Sequence, residues 1–117
     1  MFLEMHNKAS KEHVVNYLKA HNGTTVNIVT GFIGSNNANQ TTTLGRNGSN
    51  YTASLLASFL NAEELQNYTH VNGIYTANPD LVADAKKISE LSFTEANELA
   101  NFGTTILHAK TIIPLLE

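Results

Sequence analysis

A glycine-rich turn, Gly45-Arg46-Asn47-Gly48-Ser49-Asn50, runs directly into an apolar-striped segment, Tyr51 to Leu60. Leu55, Leu56 and Phe59 recur at helical spacing, and Ala53 and Ala57 leave room for a close neighbour. A helix entered in this way presents unpaired amides and the positive end of its dipole to whatever approaches. The glycines let a ligand reach the backbone. Arg46 can hold a carboxylate through two parallel hydrogen bonds, and Ser49 can cap the helix or donate to the same anion. The turn is not a Gly-x-x-x-x-Gly-Lys-[Ser/Thr] phosphate loop, because both the spacing and the lysine are missing. On these residues alone, a plain loop-to-helix junction with a solvated arginine stays open beside the anion-binding reading.

The flanking segments place the turn in an α/β chain. Val14, Val15 and Leu18 predict a helix over residues 7–21, with Ser10 able to cap a shorter version and Asn22-Gly23 as its stop. Val26 to Thr30 is a β-branched run ending at Gly31, and the helix–Gly–strand–Gly order is that of an α/β protein. Residues 34–39 read as a loop and Thr41 to Leu44 as a short edge strand. Glu64 to Val71 reads as a second strand, turned by Asn72-Gly73. Ile74 to Pro79 is extended, since Pro79 disfavours helix at Asn78. Lys86 to Leu91 holds a further short strand. Ser92-Phe93-Thr94-Glu95 matches a capping box that starts a helix to Asn101. Phe102-Gly103 ends that helix, and Thr104 to Ile113 forms the last one, with Pro114 near its end.

Composition narrows the function classes. The 117 residues suit one domain, and 42% hydrophobic content suffices for a core. A formal charge of −3 without a Lys/Arg stripe argues against nucleic acid as a partner. Without cysteine there is no disulfide framework and no thiolate zinc site. None of the five histidines has another four residues away, so no metal site is expected. No apolar run approaches a membrane span and no signal peptide opens the chain, which makes the cytoplasm the expected compartment. The sequons at Asn22, Asn39, Asn47, Asn50 and Asn67 then reflect a bias toward Asn and Thr. No Gly-x-Ser-x-Gly elbow is present, and Ser49 has no visible triad partners. Tyr68 to Thr76 is a strand end running into a polar loop, where α/β sheets place ligands. Tyr75 suits either stacking on a base or packing in the core.

Three ordered blocks resemble the signature of the aspartate kinases. They are Gly31-Phe32-Ile33-Gly34-Ser35 with Thr41 to Ala53, then Thr69-x-Val71-x-Gly73-Ile74-Tyr75-Thr76-x-x-Pro79, then Phe102-Gly103-x-x-Ile106-Leu107-His108. The resemblance is strongest over residues 26–117. It implies part of the amino acid kinase fold, a three-layer α/β/α sandwich. It also implies an enzyme that moves the γ-phosphoryl of ATP, carried with Mg²⁺, onto the β-carboxylate of L-aspartate, toward lysine, threonine and methionine. A parent fused to homoserine dehydrogenase stays open. By the same resemblance Arg46 and Ser49 hold aspartate on a turn shaped by Gly48, Phe32 lines the pocket, and Thr69 and Tyr75 face the nucleotide.

Five positions depart from the family pattern. Asn50 stands at a catalytic Asp, His70 at another Asp after Thr69, Asn78 at the Asp before Pro79, Asp80 at an Arg near the ATP phosphates, and Thr105 at a Lys near the nucleotide. The exchanges cancel in formal charge. Asp80 nevertheless turns attraction into repulsion, worth about 3 kcal/mol per unit pair at about 6 Å and an effective dielectric of about 20. The family's upstream Lys-Phe-Gly-Gly-Thr segment does not occur in the 117 residues. The expected fold is therefore a partial sandwich lacking the N-terminal phosphate-binding strand. The chain by itself is expected to be inactive, to bind no nucleotide tightly, and to self-associate through its open sheet edge as a homo-oligomer. A degenerate amino-acid-binding or assembly domain derived from that fold is the alternative.

Overall fold

The computed structural model describes residues 7–21, 23, 26–69, 72–101 and 109–115. Two compact units divide the chain, Met1–Leu65 and Gln66–Glu117.

In the first unit, α1 spans Asn7–Ala20 and packs against α2, Gly48–Leu60. Val14, Val15 and Leu18 are half-buried, as their spacing predicts. Ser10 lies inside α1 and does not cap it. His21 closes the helix: its amide donates to the Tyr17 and Leu18 carbonyls at 3.2 Å, and its ring stacks on Tyr17 at 4.2 Å. Asn22 of the expected stop lies outside the described residues.

The sheet of this unit is a two-stranded antiparallel ribbon, β1 (Ile33–Ser35) with β2 (Thr41–Thr43), pairing Ile33 with Thr43 and Ser35 with Thr41. The expected edge strand at 41–44 is thus realised over its first three residues, and the expected loop at 34–39 yields its start to β1. Asn36 shapes the connection by accepting from the Ala38 and Gln40 amides, each at 3.0 Å. The expected strand at Val26 to Thr30 is instead irregular and exposed, with Ile28 96% accessible. A β-branched run becomes a strand only when a neighbour takes its backbone hydrogen bonds, and among the described residues none does.

Helix α2 begins at Gly48, ahead of the expected Tyr51. Leu55 and Phe59 are buried, whereas Leu56 is half-buried. Ser54 is fully buried and its hydroxyl donates to the Asn50 carbonyl at 3.1 Å. The helix ends at Asn61 in the left-handed conformation, with the Ala62 amide donating to Ala57 O at 2.9 Å and the Asn61 amide to Ser58 O. This is a Schellman closure with Asn in the usual glycine place.

The strand expected at Glu64 to Val71 begins in the first unit and is irregular through Thr69, and residues 70 and 71 lie outside the described set. The strand expected at Lys86 to Leu91 reduces to one antiparallel bridge, Tyr75 with Lys87. The Thr76 amide donates to Lys86 O at 2.9 Å and the Ile88 amide to Ile74 O at 2.8 Å. Helix α3, Phe93–Asn101, starts on the expected capping box. The Ser92 amide donates to Glu95 Oε2 at 2.8 Å, and the Glu95 amide returns to Ser92 Oγ at 3.2 Å. The Ser92 hydroxyl also donates to Glu95 Oε2 at 2.7 Å, and this bond, followed by that of the Ser92 amide, holds the Glu95 carboxyl below its ordinary range. Helix α3 packs on α4, Ala109–Ile112, which tightens into a 3₁₀ turn over Ile113–Leu115. Pro114 has no amide to continue the α-helical ladder, so the last expected helix stops short of Ile113. Its start at Thr104, and the Phe102-Gly103 break, lie outside the described residues. Ala96, Ile112 and Pro114 are buried here. Among the described residues no helix is long and apolar enough to cross a membrane.

Candidate functional site

The first unit builds its candidate site where the loop at Gly31-Phe32 meets the start of α2. The Gly48 amide donates to Gly45 O at 3.0 Å, closing a turn around Arg46 and Asn47. Gly45 has φ +78 and Asn47 has φ +60, so the turn needs residues that tolerate the left-handed region. The Tyr51 amide then donates to Asn47 O at 3.0 Å, the first bond of the helix. Asn47 makes no side-chain cap, and the amides of Ser49 and Asn50 meet no acceptor among the described residues.

Glycine contacts hold this helix start against the preceding loop. A Cβ on Gly31 would lie 2.9 Å from Ser49 Cα. One on Gly48 would lie 2.8 Å from Leu44 Cβ and 3.1 Å from Phe32 Cδ2. The Leu44 amide donates to Phe32 O at 2.8 Å, tying the loop to the strand that leads into the turn. Phe32 takes φ +74, which a bulky residue adopts only when its surroundings enforce it. Such outliers gather at functional sites. Phe32 thus lies against Gly48, and Gly31 against Ser49. Arg46 is exposed on the same turn, with no ion pair or hydrogen bond among the described residues, and Asn50 is half-buried on the first turn of α2. The importance of Gly31 is missed by sequence reasoning, although its place one residue before Phe32 in the motif was the available signal.

The second unit holds the other expected residues. Thr69 is exposed and Tyr75 is half-buried in the bridge with Lys87. Asn78 Oδ1 accepts from the Asp80 amide at 2.9 Å, and Asn78 O accepts from the Leu81 and Val82 amides, so residues 78–82 form a tight turn. An Asp at 78 would accept the same bond, which makes that departure mild for the backbone. Asp80 is exposed on this turn. His70 and Thr105 lie outside the described residues. Among the described residues no group of acidic, histidine or cysteine side chains could hold a metal ion.

These features define an α/β module with an open helix N-terminus and an exposed guanidinium on one glycine turn. The chain belongs to the amino acid kinase family, whose profile matches residues 3–117. It is similar to lysine-sensitive aspartokinase 3 of Escherichia coli, 53% identical over 87 residues, which are 74% of this chain and 19% of that protein. It is similar to the aspartokinase of Chlamydia pneumoniae at 47% identity, covering 76% of this chain and 20% of that one. Among solved structures, E. coli aspartokinase III in complex with aspartate and ADP matches with a TM-score of 0.78 at 48% identity, over 88% of this chain and 23% of that chain. The complex of the same enzyme with lysine and aspartate matches with a TM-score of 0.75 at 45% identity, over 92% and 24%. The chain thus spans about a fifth of the length of the curated relatives named here. Its fold is part of the amino acid kinase fold.

Proposed function

We propose that residues 1–117, both compact units together, are part of the catalytic domain of an aspartate kinase, which transfers the γ-phosphoryl of ATP to the β-carboxylate of L-aspartate. The observation that carries this reading is the glycine-to-backbone packing of Gly31-Phe32 on Gly48-Ser49. It holds free amides and an exposed Arg46 on one short turn, the arrangement a small carboxylate needs. Both structures of the E. coli relative are complexes with aspartate, and one also contains ADP, which supports the same assignment of substrates. Arg46 and Ser49 hold the amino acid, Phe32 lines its pocket, and Thr69, Tyr75, Asn78 and Asp80 face the nucleotide. The nucleotide is taken with Mg²⁺, which is bound chiefly through its phosphates.

The test is calorimetric titration of L-aspartate into the natural polypeptide that contains these residues, and into its Arg46→Ala variant. The variant should bind about ten- to a hundredfold more weakly, the loss expected for a charge-assisted hydrogen-bond pair. Equal affinity of the two proteins sinks the assignment of Arg46, and no binding by the natural protein sinks the reading itself. Asp80, an exposed carboxylate at the position where the resemblance places a cation, favours a second reading. There the domain binds the amino acid without phosphorylating it, and aspartate affinity without turnover would establish that.

A further inference from the structure

The second unit carries a cation that neither the resemblance nor the fold assigns to a task. Tyr75 and Lys87 are bridge partners, and the hydrogen bonds Thr76 to Lys86 and Ile88 to Ile74 flank the pair rather than join it. In an antiparallel pair this is the narrow, non-hydrogen-bonded site, where opposed side chains rise from the same face. The bridge is reinforced by the Lys86 amide, which donates to Thr76 Oγ1 at 3.0 Å. The Lys87 stem then crosses Gly73: a Cβ at Gly73 would lie 2.8 Å from Lys87 Cε and 3.7 Å from Nζ. Gly73 has φ +136, a conformation that suits glycine, so the space under the lysine is built into the backbone. Lys87 is exposed and has no ion pair among the described residues.

We propose that Lys87 is a phosphate-binding residue for the nucleotide, on the same ribbon face as Tyr75. An aromatic ring and an ammonium on one face suit a nucleoside di- or triphosphate, and Gly73 leaves the room in which the lysine stem lies. Lys87 also answers a charge deficit, because the chain carries Asp80 and Thr105 where its resemblance places Arg and Lys. This inference rests on the nucleotide-facing reading of the loop above.

The experiment compares ADP with adenosine on the natural polypeptide, on Lys87→Met and on Lys87→Arg, by equilibrium binding. ADP affinity should fall about tenfold or more in Lys87→Met and return largely in Lys87→Arg, whereas adenosine binding should be unchanged in all three. Equal ADP affinity in Lys87→Met and the natural protein overturns the assignment of Lys87 alone. Parallel loss of ADP and adenosine overturns it too, since that marks a folding role for the stem. No ADP binding by the natural protein overturns the nucleotide reading of the whole loop.

Discussion

The turn at 45–49 and the ribbon at 73–88 are held by different forces. At the turn, backbone touches backbone: Gly31 lies against Ser49, and Gly48 against Leu44 and Phe32, with no room for a methyl group. At the ribbon, amide-to-carbonyl bonds and one Asx turn set the path, and residues 78–84 are all exposed. The departures from the aspartate kinase pattern follow this division. Asn50 falls beside the turn, and Asn78 and Asp80 fall on the ribbon. A path set by backbone bonds survives exchange of its side chains, whereas a path set by steric contact does not. The turn therefore keeps the residues of the resemblance at Arg46, Gly48 and Ser49, while the ribbon exchanges charged ones at Asn78 and Asp80.

Paired glycine substitutions would break this comparison most sharply. Gly48→Val should destabilise the first unit by about 1–3 kcal/mol, because the Leu44 and Phe32 positions cannot both give way. Gly73→Ala should cost less, about 1 kcal/mol, since the nearest atom belongs to a flexible lysine and only the backbone conformation is strained. Urea denaturation of both variants measures the difference, and an equal or reversed order would refute the distinction between the two regions.

Asp80→Arg sharpens the account of the ribbon. The Asp80 side chain is exposed and its amide is already used in the turn, so the exchange should leave the fold intact. ADP affinity should rise about tenfold or more through removal of one repulsion and gain of one attraction. Unchanged affinity in the binding assay would mean that residue 80 does not face the phosphates.

The smallest effect is expected at the start of α3. Ser92→Ala removes the cap and should cost about 1 kcal/mol, read as a lower midpoint in denaturant. The Glu95 half of the box adds a pH dependence. Its carboxyl titrates below the ordinary 4.5 because Ser92 hydrogen-bonds the charged form. A depressed folded value means that the contribution is complete above the unfolded value and is lost as pH falls through the folded one. Helicity of α3, followed by amide exchange, should thus weaken in the acid range below 4.5, and Glu95→Gln should abolish that dependence.

Sequence alone determined what depends on near neighbours along the chain. The Ser92–Glu95 box, the end of α2 near Leu60 and the half-buried stripe of α1 are all local, because caps and helical faces are made by residues three or four positions apart. The motif order around Phe32, Arg46, Ser49 and Tyr75 was likewise readable, and it pointed to the family that the comparisons show. Tertiary structure decided the rest. Val26 to Thr30 has the composition of a strand and forms none, since a strand exists only with a partner to take its hydrogen bonds and none does so among the described residues. The positive φ of Phe32, the contact of Gly31 with Ser49 and the placing of Lys87 beside Tyr75 and Gly73 join residues that are distant or inconspicuous in sequence. Contacts of that kind arise from steric fit and pairing across space, which no local propensity encodes.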